Sequence, residues 1–159
     1  MRKDEVIAIR DALLEYCTKE DWTNPQAVTL TLKQARMVDA VWVPLTQLEA
    51  QQNLRHVLNV VHKKLAAYGF RKQDRLRCAA VHEGGNAVRQ HYHLMLDRPD
   101  CIEAAEYEGL IKYEWARSHW GYKQVTIVPC YDANGWLDYI SKPRTKDDYA
   151  ASIDWMNFR

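Results

Sequence analysis

The chain has no apolar run approaching the roughly 20 residues needed to span a bilayer, which excludes a transmembrane helix of the usual kind. It also lacks a secretory leader. The opening MRKDEVIAIRDALLEY alternates charged with apolar residues where a signal peptide would carry an unbroken apolar segment, so a cytoplasmic protein with no membrane partner is expected. No CxxC pair is present. Cys17, Cys78, Cys101 and Cys130 are widely scattered, which argues against a zinc ribbon and for reduced thiols without a chemical role. Net charge is nearly absent too: 22 Lys and Arg face 21 Asp and Glu, leaving +1. The chain is therefore no polycation, and any contact with nucleic acid must come from a local basic face. Internal repeats and low-complexity segments are missing. At 159 residues and 47% hydrophobic, the length suits a single domain over 1–159.

What is present reads as an alternation of helices and strands. Val6, Ile9, Leu13 and Leu14 recur at helical spacing and predict a helix over about 3–17, closed off by TNPQ. AVTLTLK, residues 27–33, alternates Val28, Leu30 and Leu32 with Thr29, Thr31 and Lys33, the pattern of a half-buried strand. From about Thr46 to Tyr68, apolar residues at three and four apart give a long amphipathic helix ended by Gly69. LRCAAVHE and RQHYHLMLD read as strands joined by a GGNAV turn. A helix over about 102–118, a strand KQVTIVP and a short helix over about 136–141 follow, the last ended or kinked by Pro143. This order predicts an α+β fold, an antiparallel sheet of four to five strands with helices packed on one face.

The strand HYHLMLD carries the first chemical signal. Side chains alternate along a strand, so Tyr92, Leu94 and Leu96 face the core while His91, His93 and Met95 share the opposite face. The two histidines then stand roughly 6 to 7 Å apart along the backbone, and the turn at Gly84 and Gly85 folds Glu83 back beside them. Two imidazoles and a carboxylate make a three-point metal site with positions left open for water or substrate oxygen. Paired histidines on a strand also occur as ordinary surface or core residues, so a second signal is needed. WLDYISKP supplies it: Tyr139 and Lys142 lie three apart, on one face of a helix. A phenol titrates near 10, and a reactive tyrosine requires a nearby cation or metal to favour the phenolate. Buried aromatics satisfy the same spacing; only the combination of the two signals is informative.

Taken together, these motifs resemble those of the HUH endonucleases, in particular the replication initiators of rolling-circle plasmids, phages and circular single-stranded DNA viruses. AVTLTL is similar to the family's first-strand motif, HYH (His91 to His93) to His-hydrophobic-His, and DYISK to Tyr-x-x-Lys, in the family's order. The resemblance covers about residues 26–146. It implies a ferredoxin-like or RRM-like nuclease fold and a divalent ion, Mn²⁺ or Mg²⁺, held by Glu83, His91 and His93. It implies that Tyr139 is the nucleophile that forms a covalent 5′-phosphotyrosine, with Lys142 orienting the phosphate or assisting the phenolate. The implied partner is single-stranded DNA at an origin or hairpin. Relaxases of the superfamily carry the tyrosine before the histidines, the reverse of the order here. Many initiators also carry a helicase with a GxxxxGK[ST] loop; none occurs here, so a host helicase is an expected partner, or the chain is the nuclease part of a larger protein. Tyr149 lies too far along to share a helix face with Tyr139, which implies a single-tyrosine enzyme, and a monomer is expected. Thr29, Thr31 and Lys33 on the open face, and Arg71, Lys72, Arg75 and Arg77 in a basic stretch, are candidate DNA contacts. Lys63, Lys64, Arg144 and Lys146 extend the basic clusters, and either cluster is equally consistent with a solvated surface. Two other classes fit parts of this pattern: a single-strand transposase of the same superfamily, which Tyr-x-x-Lys disfavours, and a non-catalytic nucleic-acid-binding domain.

Overall fold

The computed structural model describes residues 1–19, 22–85, 88–142 and 148–159. Four strands form one antiparallel sheet: β1 (Pro25–Leu32), β4 (Cys78–Glu83), β5 (His91–Asp97) and β6 (Gly121–Pro129), in the spatial order β4-β5-β1-β6. Between the first two in sequence lie a short hairpin, β2 (Ala35–Val38) with β3 (Val41–Pro44), and the helix α2 (Gln47–Leu65). α3 (Ala104–Arg117) joins β5 to β6. Without the inserted hairpin, the sequence from β1 to β6 is β-α-β-β-α-β, the split arrangement of ferredoxin-like folds. The expected α+β class and antiparallel sheet are thus present.

The alternation in β1 and β5 sets the main core. Val28, Leu30 and Leu32 from β1 and Tyr92, Leu94 and Leu96 from β5 point to one face, where Leu54, Val57, Leu58, Val61 and Leu65 of α2 and Ile111 and Trp115 of α3 cover them. α2 begins in a capping box, with Thr46 and Glu49 exchanging side-chain to backbone bonds. Its last turn tightens to a 3-10 form over Ala66–Tyr68, and Gly69 ends it at φ 94°, a left-handed conformation that favours glycine. Trp115 is wholly buried, and its indole N–H donates to the Thr31 carbonyl at 2.8 Å.

The opposite face is not left bare. α1 (Lys3–Lys19), α4 (Ala133–Ile140) and the short α5 (Tyr149–Ser152) cover the β4 and β5 half. Ala79, Val81 and Met95 point that way, and Leu13, Cys17, Leu137, Ile140, Tyr149 and Ile153 close over them as a second core. Three apolar strand residues on one patch need such cover, each large side chain returning about 1.5–3 kcal/mol on full burial. The face expected to be open is therefore open mainly over β1 and β6, where Thr29 is half-buried and Thr126 and Val128 are exposed. Pro143, Arg144 and Lys146 lie outside the described residues, as does part of the GGNAV turn.

All four cysteines are free, and burial pushes the Cys78 thiol well above its ordinary range. Among the described residues no helix is long and apolar enough to cross a membrane.

Candidate metal and nucleophile site

Strand pairing builds the site. β4 and β5 run antiparallel with Glu83 opposite His91 and Val81 opposite His93, so Glu83 and the two histidines project from one corner of the sheet. The hairpin between them is tight: Gly84 sits at φ 131°, and a Cβ there would fall 2.5 Å from the Gln90 Cα. Only glycine fits that crossing without displacing backbone. Consequently the carboxylate comes to lie 3.5 Å from Nε2 of both His91 and His93, and those two nitrogens are 3.1 Å apart.

These separations suit a single ion. With metal–ligand bonds of about 2.1 Å, adjacent ligand atoms lie about 3.0 Å apart in an octahedron and about 3.4 Å apart in a tetrahedron. Glu83, His91 and His93 form a three-residue cluster with metal-ligating atoms all within 4.8 Å of one another. The outer nitrogens are already engaged. Nδ1 of His91 lies 2.8 Å from the Arg89 carbonyl, which can only accept, so the proton sits on Nδ1 and the Nε2 lone pair points into the site. Nδ1 of His93 lies 3.0 Å from the Thr29 hydroxyl, which supports the same tautomer. The donor set therefore fits a divalent ion on this chain's own geometry.

The neighbouring histidine, His82, lies on the other side of β4 against the Tyr92 ring, with centroids 5.0 Å apart. Burial, with a lesser contribution from the charge of His91, pulls its titration down to about 4. It stays neutral and takes no part in the cluster.

α4 brings the tyrosine. Asp132 caps the helix by accepting the Gly135 N–H at 2.8 Å, and the indole N–H of Trp136 donates to the Leu94 carbonyl at 2.9 Å, tying the helix to β5. Trp136 then packs edge-on to His93, centroids 5.4 Å apart, and stacks on Tyr139 at 5.6 Å with planes 20° apart. Tyr139 itself lies 5.8 Å from the His93 ring and is 52% exposed, so a substrate can reach its phenol. Lys142, just past the helix end, holds its ammonium 5.1 Å from the Tyr139 ring centroid. On the far side of α4, Arg10 of α1 pairs with Asp138 and donates from Nε to the Ser141 hydroxyl at 3.3 Å. The residues flanking Tyr139 are thus clamped from two directions.

Among the sequence candidates, the structure brings together Glu83, His91, His93, Tyr139 and Lys142, with Thr29 directly behind His93. Thr31 is opposite His91 and is only 9% exposed. Lys33 lies beyond the end of β1, its ammonium on the His119 carbonyl. Arg71, Lys72, Arg75 and Arg77 precede Cys78, at the end of β4 away from Glu83, and are not part of this cluster. Arg71 pairs with Asp74, and Arg75 bonds the Tyr16 hydroxyl. Tyr149 is buried and donates to the Ser141 carbonyl, so it does not compete with Tyr139. Three supporting groups are not apparent from the sequence alone: Trp136, Arg10 and the Arg89 carbonyl. Only Trp136 leaves a signal there, its three-residue spacing from Tyr139.

Residues 25–147 match the family model for replication-associated proteins of the ORF2 type. The chain belongs to that family. The matched span runs from the start of β1 to just past α4 and includes every member of the cluster together with Tyr139 and Lys142. No curated protein and no solved structure matches the chain. Membership in this replication-associated family makes DNA the natural context for the site.

Proposed function

We propose that the protein is a metal-dependent single-stranded DNA endonuclease of the HUH type that nicks and rejoins DNA to initiate rolling-circle replication. The observation that carries this reading is the exposed Tyr139 held beside the Glu83, His91 and His93 cluster by Trp136. Family membership supports the replication context.

In this reading the Tyr139 oxygen attacks a backbone phosphorus, the new O–P bond forming as the bond to the 3′ oxygen breaks. The departing 3′ oxygen takes up a proton and the 5′ phosphate stays on the tyrosine. Reversal by a 3′ hydroxyl restores the backbone and frees the phenol, because the phosphotyrosine ester retains the energy of the broken bond. Glu83, His91 and His93 would hold Mn²⁺ or Mg²⁺, which supplies charge to offset that building up on the phosphate oxygens. Lys142 provides a cation beside the phenol that favours its ionised form. Trp136 fixes the ring plane of Tyr139 relative to His93, the kind of positioning on which phosphoryl transfer depends.

The test is to incubate the protein with labelled single-stranded origin DNA and Mn²⁺ and look for a covalent adduct on a denaturing gel. Tyr139→Phe should abolish the adduct; persistence of an adduct in that variant sinks the assignment.

A further inference from the structure

A second polar site lies outside the cluster. A cleft of about 500 Å³ opens between α2, the β2 strand and the turn linking α3 to β6, with Arg36, Asn53, His56, Arg117, His119 and Trp120 around it. Its floor is fixed: Asn53 donates to the Ser118 hydroxyl at 3.0 Å and accepts the Trp120 backbone N–H at 3.1 Å. Its cations are not neutralised. The Arg36 guanidinium lies over the Trp120 ring at 5.2 Å, and its Nε is buried without a hydrogen-bond partner. Arg117 rests on the Tyr113 ring at 4.9 Å and touches only that residue's hydroxyl, at 3.2 Å. Among the described residues neither guanidinium has a carboxylate partner. The one acid lining the cleft, Glu49, has its carboxylate turned to the Thr46 backbone and hydroxyl in the α2 capping box.

A buried guanidinium N–H without an acceptor is costly, and two forked donors facing one polar cleft match the oxygens of a phosphate. The position of the cleft says which phosphate. Gln90, next to His91, accepts the Leu32 N–H and donates its own to the Gln34 side chain. Lys33, between those two, bonds the Trp120 carbonyl through its backbone and the His119 carbonyl through its ammonium. One short bridge, Leu32 to Gln34, therefore joins the His91 end of the cluster to the floor of the cleft, with a lysine along it.

We propose that this cleft holds a backbone phosphate of single-stranded DNA flanking the nick, gripped by Arg36 and Arg117. This rests on the reading of the chain as a single-strand nuclease, and deepens it by assigning a path for the strand around the sheet end. The site is sequence-independent and serves to anchor.

Fluorescence anisotropy with a long and a short labelled oligothymidylate, over a series of salt concentrations, tests it in the full chain. Arg36→Gln with Arg117→Gln should weaken binding of the long oligonucleotide by about tenfold and lower its salt slope by about one for each phosphate no longer held, leaving the short one unaffected. Arg117→Gln alone, at an exposed position, should move both quantities in the same direction and serves if the double variant folds poorly. If the native protein binds the long strand and both variants match it in affinity and slope, the cleft assignment is wrong and the nuclease reading stands. If the native protein binds neither oligonucleotide, both fail. Loss of dATP binding in the variants with strand binding intact would make the cleft a mononucleotide site, and would overturn the inference.

Discussion

Thr29→Val probes the metal site without touching a ligand. Valine keeps the shape of threonine but removes the hydroxyl that lies 3.0 Å from His93 Nδ1. His93 is only 8% exposed, so water cannot readily replace the missing partner. Without it the imidazole is free to move its proton to Nε2, the atom that faces Glu83 and His91, and that tautomer cannot ligate. Removing such an outer partner weakens metal binding about 10- to 100-fold, or about 1.4 to 2.7 kcal/mol, and the burial of His93 places the expected value toward the upper end. Calorimetric titration of Mn²⁺ into both proteins measures this directly, with denaturant unfolding as the control for intact folding. Thr29→Ser, which keeps the hydroxyl, should recover most of the affinity. If Thr29→Val binds Mn²⁺ within about twofold of the native protein, the outer bond does not set the tautomer and the site has been misread.

Other parts of the site give separate tests. Gly84→Ala places a Cβ 2.5 Å from the Gln90 backbone at φ 131°, and should cost on the order of 1–3 kcal/mol in thermal unfolding; an unchanged melting temperature would contradict the tight crossing. His82 titrates at about 4 when folded and near 6.5 when unfolded, so the unfolded chain takes up the proton first as pH falls. Its contribution is complete above about pH 6.5 and is lost progressively toward pH 4, on the order of 3 kcal/mol in all. Urea unfolding of His82→Phe should show a flatter acid limb, and an identical limb would refute the assignment. Arg10→Ala removes the clamp on Asp138 and Ser141. As a partly exposed pair it should cost no more than about 1 kcal/mol of stability while slowing nicking several-fold, whereas equal nicking would show that α4 holds Tyr139 unaided.

Which parts of this are legible in the sequence follows from the range of the forces involved. The alternation in HYHLMLD is local, and it correctly separates Tyr92, Leu94 and Leu96 from His91 and His93. Glu83 is legible because a glycine turn fixes its register within a few residues. The β2–β3 hairpin leaves no such mark, since its turn residues Asp39 and Ala40 adopt φ 47° and 64° without the Asn-Gly or Asp-Gly pair that normally signals such a turn. Thr29 reads in the sequence as a DNA contact on an exposed face. Its pairing with His93 depends on the register of β1 against β5, some sixty residues apart, and nothing in either segment encodes that register alone. The cover over β4 and β5 is hidden for the same reason: α1 reads as a helix, but the sheet face it packs on is set by long-range burial of Met95 and Val81. Trp136, one of several tryptophans with a core-like setting, becomes part of the site only once α4 is placed against β5.

The nicking mechanism stands on a covalent bond between Tyr139 and the DNA it cuts. Mass spectrometry of the protease-digested reaction mixture, with single-stranded origin DNA and Mn²⁺, tests this most directly. The expected product is a 5′-nucleotide phosphate on the peptide containing Tyr139, absent from Tyr139→Phe and from His91→Ala. Cleaved DNA with no modified peptide, or a nucleotide carried by any other residue, would contradict it.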